Sequence, residues 1–266
     1  MTAPVAHPLR PETGSGPLVA FVHGIQDTWG TWQVLAERLP ESWRLVAFDM
    51  PWGTDSGHRW RREANSGGWL RRALDGLPDP VDVLVGHSLG ASAVLETLAS
   101  GKPPLRAATL LAPQYRPAGW RVDWELFDTF RDRLQGVVRE QLRRRLLARG
   151  GRTDEAAIES RLDKMIDRIG PMYVLALFDE FIASGDLALS TVSVPTLIMS
   201  GLDDDSLTHG RVDVLSQELP RATILREPTL SHMCHIDQAG LVAAYLSAFV
   251  SQACPDLAPI REERPC

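Results

Sequence analysis

Lysine is nearly missing from this 266-residue chain: Lys102 and Lys164 are its lysines, and arginine supplies the rest of the 28 basic residues. Cysteine is as scarce, with Cys234, Cys254 and Cys266 all late in the chain. An odd, unspaced set makes neither a disulfide framework nor a metal knuckle, and it fits a reducing, cytoplasmic setting. No apolar run approaches the ~18 residues of a membrane span. The opening MTAPVAHPLRPETGSGP lacks the apolar stretch of a signal peptide. Positive charge is not in excess either: 34 acidic residues leave a net charge of −6. That balance argues against a nucleic-acid binder, or a membrane-surface protein, working by overall charge. No internal repeat is visible. The remaining composition, 44% hydrophobic and 23% charged, is that of a globular protein with room for one large domain.

Short, nearly continuous apolar runs alternate with helical patterns. Residues 18–22 (LVAFV), 45–48, 81–85 (VDVLV), 107–111, 196–199 and 222–225 read as strands buried on both faces of a parallel sheet. Helical patterns lie between them, near 29–39, 66–76, 89–99, 208–219 and 238–252. The alternation predicts a mostly parallel, doubly wound α/β sheet. From 113 to 190 it breaks. Phe127, Phe130, Leu134, Val138, Leu142 and Leu146 step by three or four, as on a long amphipathic helix. Two more helices are expected over 154–169 and 172–183. This reads as a helical cap inserted before the strand at 196–200, on a core of 18–112 and 191–252, with flexible tails at 1–17 and 253–266.

After the run VDVLV comes Gly86-His87-Ser88-Leu89-Gly90, and then a helix. A serine on a sharp strand-to-helix turn is strained, and the residues two before and two after it crowd each other, so only small ones fit. The turn lifts Ser88 Oγ clear of the sheet and aims the first N–H groups of the helix at whatever it attacks.

In this strand–turn–helix context the G-x-S-x-G pattern resembles the nucleophile elbow of the α/β-hydrolase fold, in its capped single-domain form. His23-Gly24-Ile25 is similar to that family's oxyanion loop. The resemblance implies that the N–H groups of Ile25 and Leu89 hold an oxyanion, while His23 shapes the loop. Asp49-Met50-Pro51-Trp52-Gly53-Thr54-Asp55-Ser56 resembles a family segment in which Trp52 and Thr54 stand where glycines are usual. The acid should follow the strand TLIMSG. Among Asp203, Asp204 and Asp205 the family's G-x-x-D spacing selects Asp204, and Asp123 is the distant alternative of members that place the acid one strand earlier. The base should lie in the loop after the last strand, where His232 leads His-Met-Cys-His and His235 is the runner-up. Ser88, Asp204 and His232 follow the family's chain order. His-x-x-His beside three aspartates could instead suggest zinc, but the triad accounts for these residues, so no metal and no cofactor is expected.

Serine at the nucleophile position implies acyl-enzyme chemistry on a carboxylic ester or thioester. C–C bond hydrolysis, acyl transfer or cyclisation, cofactor-free peroxidation and a non-catalytic ligand-binding relative remain alternatives. His232 must be neutral to act, so activity should fall below about pH 6 to 7. Trp29 and Trp52, with Trp120, Trp124 and Phe127 from the cap, are expected to line an acyl pocket; core packing is the plainer reading of each. Arg139, Arg143, Arg144, Arg145, Arg149 and Arg152 form a basic stretch. It reads as a solvated helix face, or alternatively as a dock for coenzyme A or an acyl-carrier protein.

Overall fold

In the computed structural model, residues 3–11, 14–53, 57–148, 154–167, 170–201 and 209–257 are described. Seven strands form one sheet: β1 (Val5–Pro8), β2 (Leu18–Val22), β3 (Arg44–Asp49), β4 (Val83–His87), β5 (Ala107–Leu111), β6 (Thr196–Ser200) and β7 (Ala222–Arg226). Their spatial order is β1-β3-β2-β4-β5-β6-β7, parallel throughout except for β1, which runs antiparallel to β3. The sheet is the predicted mostly parallel one. Its first strand corrects the expectation of a flexible tail over 1–17: Val5–Pro8 pairs with 46–49, and Leu9 is buried beyond it. Four residues ending in proline carry little strand signal, and an exposed edge tolerates the missing N–H.

Both faces of the central strands are covered. Leu18, Ala20 and Val22 of β2 join one core cluster, while Val19 and Phe21 join the other. That two-sided burial is why the strands read as unbroken apolar runs. The first cluster lies under α2 (Ser66–Asp75) and α3 (Leu89–Ser100); the second lies under α1 (Gln33–Ala36) and α9 (Ala239–Ala253). Between β5 and β6 come α4 (Trp124–Ala148), α5 (Glu155–Asp167) and α6 (Pro171–Ala183), whose inner residues extend the first cluster. Later helices are α7 (His209–Glu218) and α8 (Cys234–Asp237).

The cap is fastened to the core by a buried carboxyl pair. Glu180 of α6 is 2% exposed and accepts from Ser66 N (3.2 Å) and Ser66 Oγ (2.8 Å) at the start of α2, with Arg61 Nε at 2.8 Å. Glu96 of α3 accepts from Gly67 N (2.8 Å) and Ser66 Oγ (3.4 Å). Burial, and then the neighbouring Glu180, push the Glu96 carboxyl up to about 8. A carboxyl raised by folding stabilises the fold at low pH, and that stability is lost as pH rises from the ordinary carboxylate range through about 8. Glu96→Gln is therefore expected to flatten the decline in Tm between pH 5 and 9. At pH 9 it should exceed the wild type, by about 2–4 °C for each kcal/mol of repulsion removed. Parallel Tm curves for the two proteins would refute this.

Three arginines of the cap's basic stretch are paired within the chain. Arg139 pairs with Asp163 (2.8 Å) and Glu159, Arg143 with Glu159 (2.6 Å) and Glu155, and Arg144 with Glu140 (2.8 Å) and Asp237. These arginines tie α4 to α5 and to α8. Arg149 and Arg152 lie outside the described residues.

Candidate active site

The order of the sheet creates the site. From β2 the chain moves outward to β3 and then returns to β4 on the other side of β2. The carboxyl ends of β2 and β4 therefore stand side by side with connections leaving in opposite directions, which is where open α/β sheets bind ligands. The loop 23–25 leaves β2, and Ser88 follows β4.

Ser88 has φ 52° and ψ −118°, between the last residue of β4 and the first of α3. Its N–H donates to Leu111 O (2.9 Å), and its carbonyl accepts from Ala91 N (2.9 Å) and Ser92 N (3.1 Å), so the strained turn is bonded on both sides. The small-residue requirement has a concrete cause. A Cβ on Gly86 would stand 2.4 Å from Gly90 O, and one on Gly90 would stand 2.1 Å from Val22 O. A Cβ on Gly24 would lie 3.1 Å from Ser88 Cβ, so the oxyanion-loop candidate rests directly against the serine. Ile25 and Leu89 are both buried beside this contact. Ser88 is fully buried, and its Oγ makes no hydrogen bond among the described residues. A nucleophile–base bond of this kind often forms only when substrate is bound.

His23 is a loop-shaping residue. Its Nδ1 meets Gly24 O (2.8 Å), its Nε2 accepts from Met50 N (3.0 Å), and the ring is completely buried.

His232 sits in the loop between β7 and α8, half-buried. The residue before the serine holds it there: His87 Nε2 donates to His232 O (2.7 Å), and the two rings lie 4.9 Å apart. In the elbow motif His87 occupies a variable position, and no spacing in the sequence points to this bond. Burial and the neighbouring His235 and His232 hold the His87 ring well below the usual imidazole range, so it is neutral and can keep this tautomer. His235 is fully buried, packed 4.5 Å from Trp32 and 4.4 Å from His87 by ring centroids. Desolvation lowers it to about 4. Of the two candidate bases, His232 borders an open groove of ≈520 Å³, with Glu140, Gln141 and Arg144 of α4 across from it.

Asp203, Asp204 and Asp205 lie outside the described residues. Asp123 takes another role: its Oδ1 accepts from Leu126 N (3.0 Å) at the start of α4. Among the described residues Asp27, His87 and His235 bring potential metal-ligand atoms within 4.8 Å of one another, deep in the core. This is not the His-x-x-His and Asp-triplet arrangement that the sequence suggested.

A family model described as "Alpha/beta hydrolase family" matches residues 19–245. The chain belongs to the alpha/beta hydrolase family. A curated relative, pimeloyl-[acyl-carrier protein] methyl ester esterase of Nitrosomonas europaea, is 28% identical over 243 residues, covering 83% of this chain and 90% of the relative. Among solved structures, a thermophilic esterase from Thermogutta terrifontis superposes with a TM-score of 0.62 at 17% identity, covering 94% of this chain and 93% of that one. The thioesterase domain from the curacin biosynthetic pathway gives 0.59 at 18% identity, covering 93% and 100%.

This alpha/beta hydrolase departs from the sequence reading in its aromatic residues. Trp52 is no pocket wall: it is fully buried, its Nε1 donates to His23 O (3.0 Å), and its ring meets Trp60 edge-on at 5.4 Å. An indole N–H that must find an acceptor, and a large ring that gains by burial, both favour the core. Trp29 stacks on His7 at 4.3 Å and so covers β1 instead. Trp120 is 38% exposed and lies against the Arg211 guanidinium. Trp124, 80% exposed, and Phe127 do line a cavity of ≈530 Å³. Its other walls are α4, Ile166 and α6, with no residue of the elbow or the His232 loop.

Proposed function

We propose that the protein is a serine hydrolase of carboxylic esters that works through an acyl-enzyme. Ser88 Oγ attacks the carbonyl carbon as its proton passes to His232 Nε2, with Asp204 fixing the imidazole tautomer. The carbonyl oxygen becomes an oxyanion held by the N–H groups of Ile25 and Leu89. Collapse expels the alcohol, which takes the proton from His232. Water then adds to the acyl carbon, giving a proton to His232, and the second collapse releases the acid and returns the proton to Ser88.

The observation that carries this reading is the strained Ser88, φ 52°, wedged against Gly24 while its neighbour His87 grips the His232 carbonyl. That arrangement supports Ser88 as nucleophile, the loop after β2 as its donor loop and His232 as the anchored base. The esterase named among the relatives supports the ester as substrate class. The ion pairing of Arg139, Arg143 and Arg144 within the chain favours a free ester over a carrier-bound thioester docked on that stretch.

A fluorophosphonate ester tests the assignment. Native protein is expected to take one adduct at Ser88, and acid-denatured or Ser88→Ala protein none. Native protein that stays unlabelled and leaves p-nitrophenyl esters intact would point to the non-catalytic relative instead.

A further inference from the structure

Among the described residues, three besides glycine have a positive φ: Gln26 (52°), Ser88 (52°) and Ala112 (47°). The strain at Ser88 belongs to the elbow. Gln26 directly follows Ile25, two residues after the Gly24 that rests against the serine. Glutamine lacks the short side chain with which asparagine or aspartate bonds its own backbone in the left-handed region. A residue stays in such a conformation only where its surroundings over-determine it, and outliers of this kind gather at functional sites. On the core side the backbone is held. Gln26 N donates to Trp52 O (3.0 Å), and a Cβ on Gly53 would stand 3.1 Å from Asp27 O.

The side chain of Gln26 reaches the other way, to the cap. Its Nε2 donates to Tyr173 Oη (3.4 Å), 147 positions on. Tyr173 lies in the first turn of α6 and is 4% exposed. Burial pushes its hydroxyl well above the ordinary phenol range, so it stays uncharged. Glu180, seven residues later and therefore on the same face of α6, bonds Ser66 at the start of α2. One face of α6 is thus tied to α2 near its end and to the loop after β2 near its start.

We propose that Tyr173 is a positioning residue for the oxyanion hole: by holding the Gln26 side chain it keeps residue 26 in the left-handed turn, and so fixes the direction of the Ile25 N–H. The catalytic part of this assignment rests on the serine-hydrolase reading; the tether itself does not. Relaxing residue 26 to a negative φ turns the peptide group between 25 and 26 against the chain that follows. That chain is pinned where Gly53 crowds Asp27 O, so the preceding peptide must turn, and Ile25 moves with it. A donor set in place beforehand costs no reorganisation when the oxyanion forms, so the effect belongs to the transition state. The hole is complete only while α6 is seated on the core.

Three measurements test this: kinetics on a p-nitrophenyl ester, inhibition by a trifluoromethyl ketone, and amide hydrogen exchange over residues 23–28. Tyr173→Phe and Gln26→Ala are each expected to lower kcat by about 3- to 10-fold, the worth of one hydrogen bond, with KM nearly unchanged. The inhibition constant of the ketone should rise by the same factor, because its tetrahedral adduct makes the oxyanion contact and the ground-state ester does not. Tyr173→Phe/Gln26→Ala should be no slower than the worse single variant. Gln26→Gly, which reaches a positive φ without strain, should fall between Gln26→Ala and the wild type. An unchanged kcat, losses that multiply, or Gln26→Gly no faster than Gln26→Ala overturns the proposal. So does a change confined to KM, which would make Tyr173 a substrate contact. Exchange over 23–28 should quicken in Tyr173→Phe, and unchanged exchange overturns the tether. Quickened exchange in a protein that hydrolyses no ester and takes no fluorophosphonate would sink the serine reading and leave the tether standing.

Discussion

Replacing Ser88 with alanine is expected to lower kcat on a p-nitrophenyl ester by about 10⁴-fold or more, with little change in Tm. Nucleophile and base act as one unit in such sites, and removing either removes nearly all of the unit's contribution. His232→Ala should cost a similar factor, and Ser88→Ala/His232→Ala should be no slower than the worse single variant. A residual rate above water is expected, because the Ile25 and Leu89 N–H groups are untouched. Steady-state kinetics on the three variants measure this. Losses that multiply in the double variant would mean that the two residues act in separate steps.

The second large effect falls on the fold. Gly90→Ala would push a Cβ to 2.1 Å from Val22 O and 2.7 Å from His23 O, both backbone atoms of the central strand β2 and its exit. Neither can rotate away. The strand or the helix must shift, and the variant is expected to be insoluble, or to lose several kcal/mol together with all activity. Gly136→Ala is the control. It lies in the exposed middle of α4 with nothing within 4 Å of the new Cβ, so it should gain about 0.5–1 kcal/mol from helix propensity. Thermal melts of both variants distinguish steric crowding at the elbow from a general intolerance of larger residues at glycine.

Much of this architecture could be read from the sequence, because the physical causes were local. β2, β4, β5 and β6 are buried on both faces, so their residues are apolar without interruption. The Gly86–Ser88–Gly90 spacing reflects contacts within one turn. The cap helices carried a clear three-to-four step. What escaped depends on contacts between distant segments. β1 is a strand only because β3 offers an edge to pair with. Trp29 and Trp52 sit close in sequence to the sheet's active edge, but nothing in their spacing says whether the ring turns toward ligand or core. The bond from His87 to His232 spans 145 positions.

The grip of His87 on the His232 carbonyl has a mechanical consequence. Two consecutive residues of a single turn carry the Ser88 hydroxyl and the tether of the His232 loop. The lid of helices α4–α6 is attached to the core through Glu180 and Ser66, and α4 also reaches the His232 segment through Gln141 to Met233 and Arg144 to Asp237. Any shift of α4 therefore pulls on the loop of residue 232, and the His87 bond resists that pull, as a stay holds a mast against its sail.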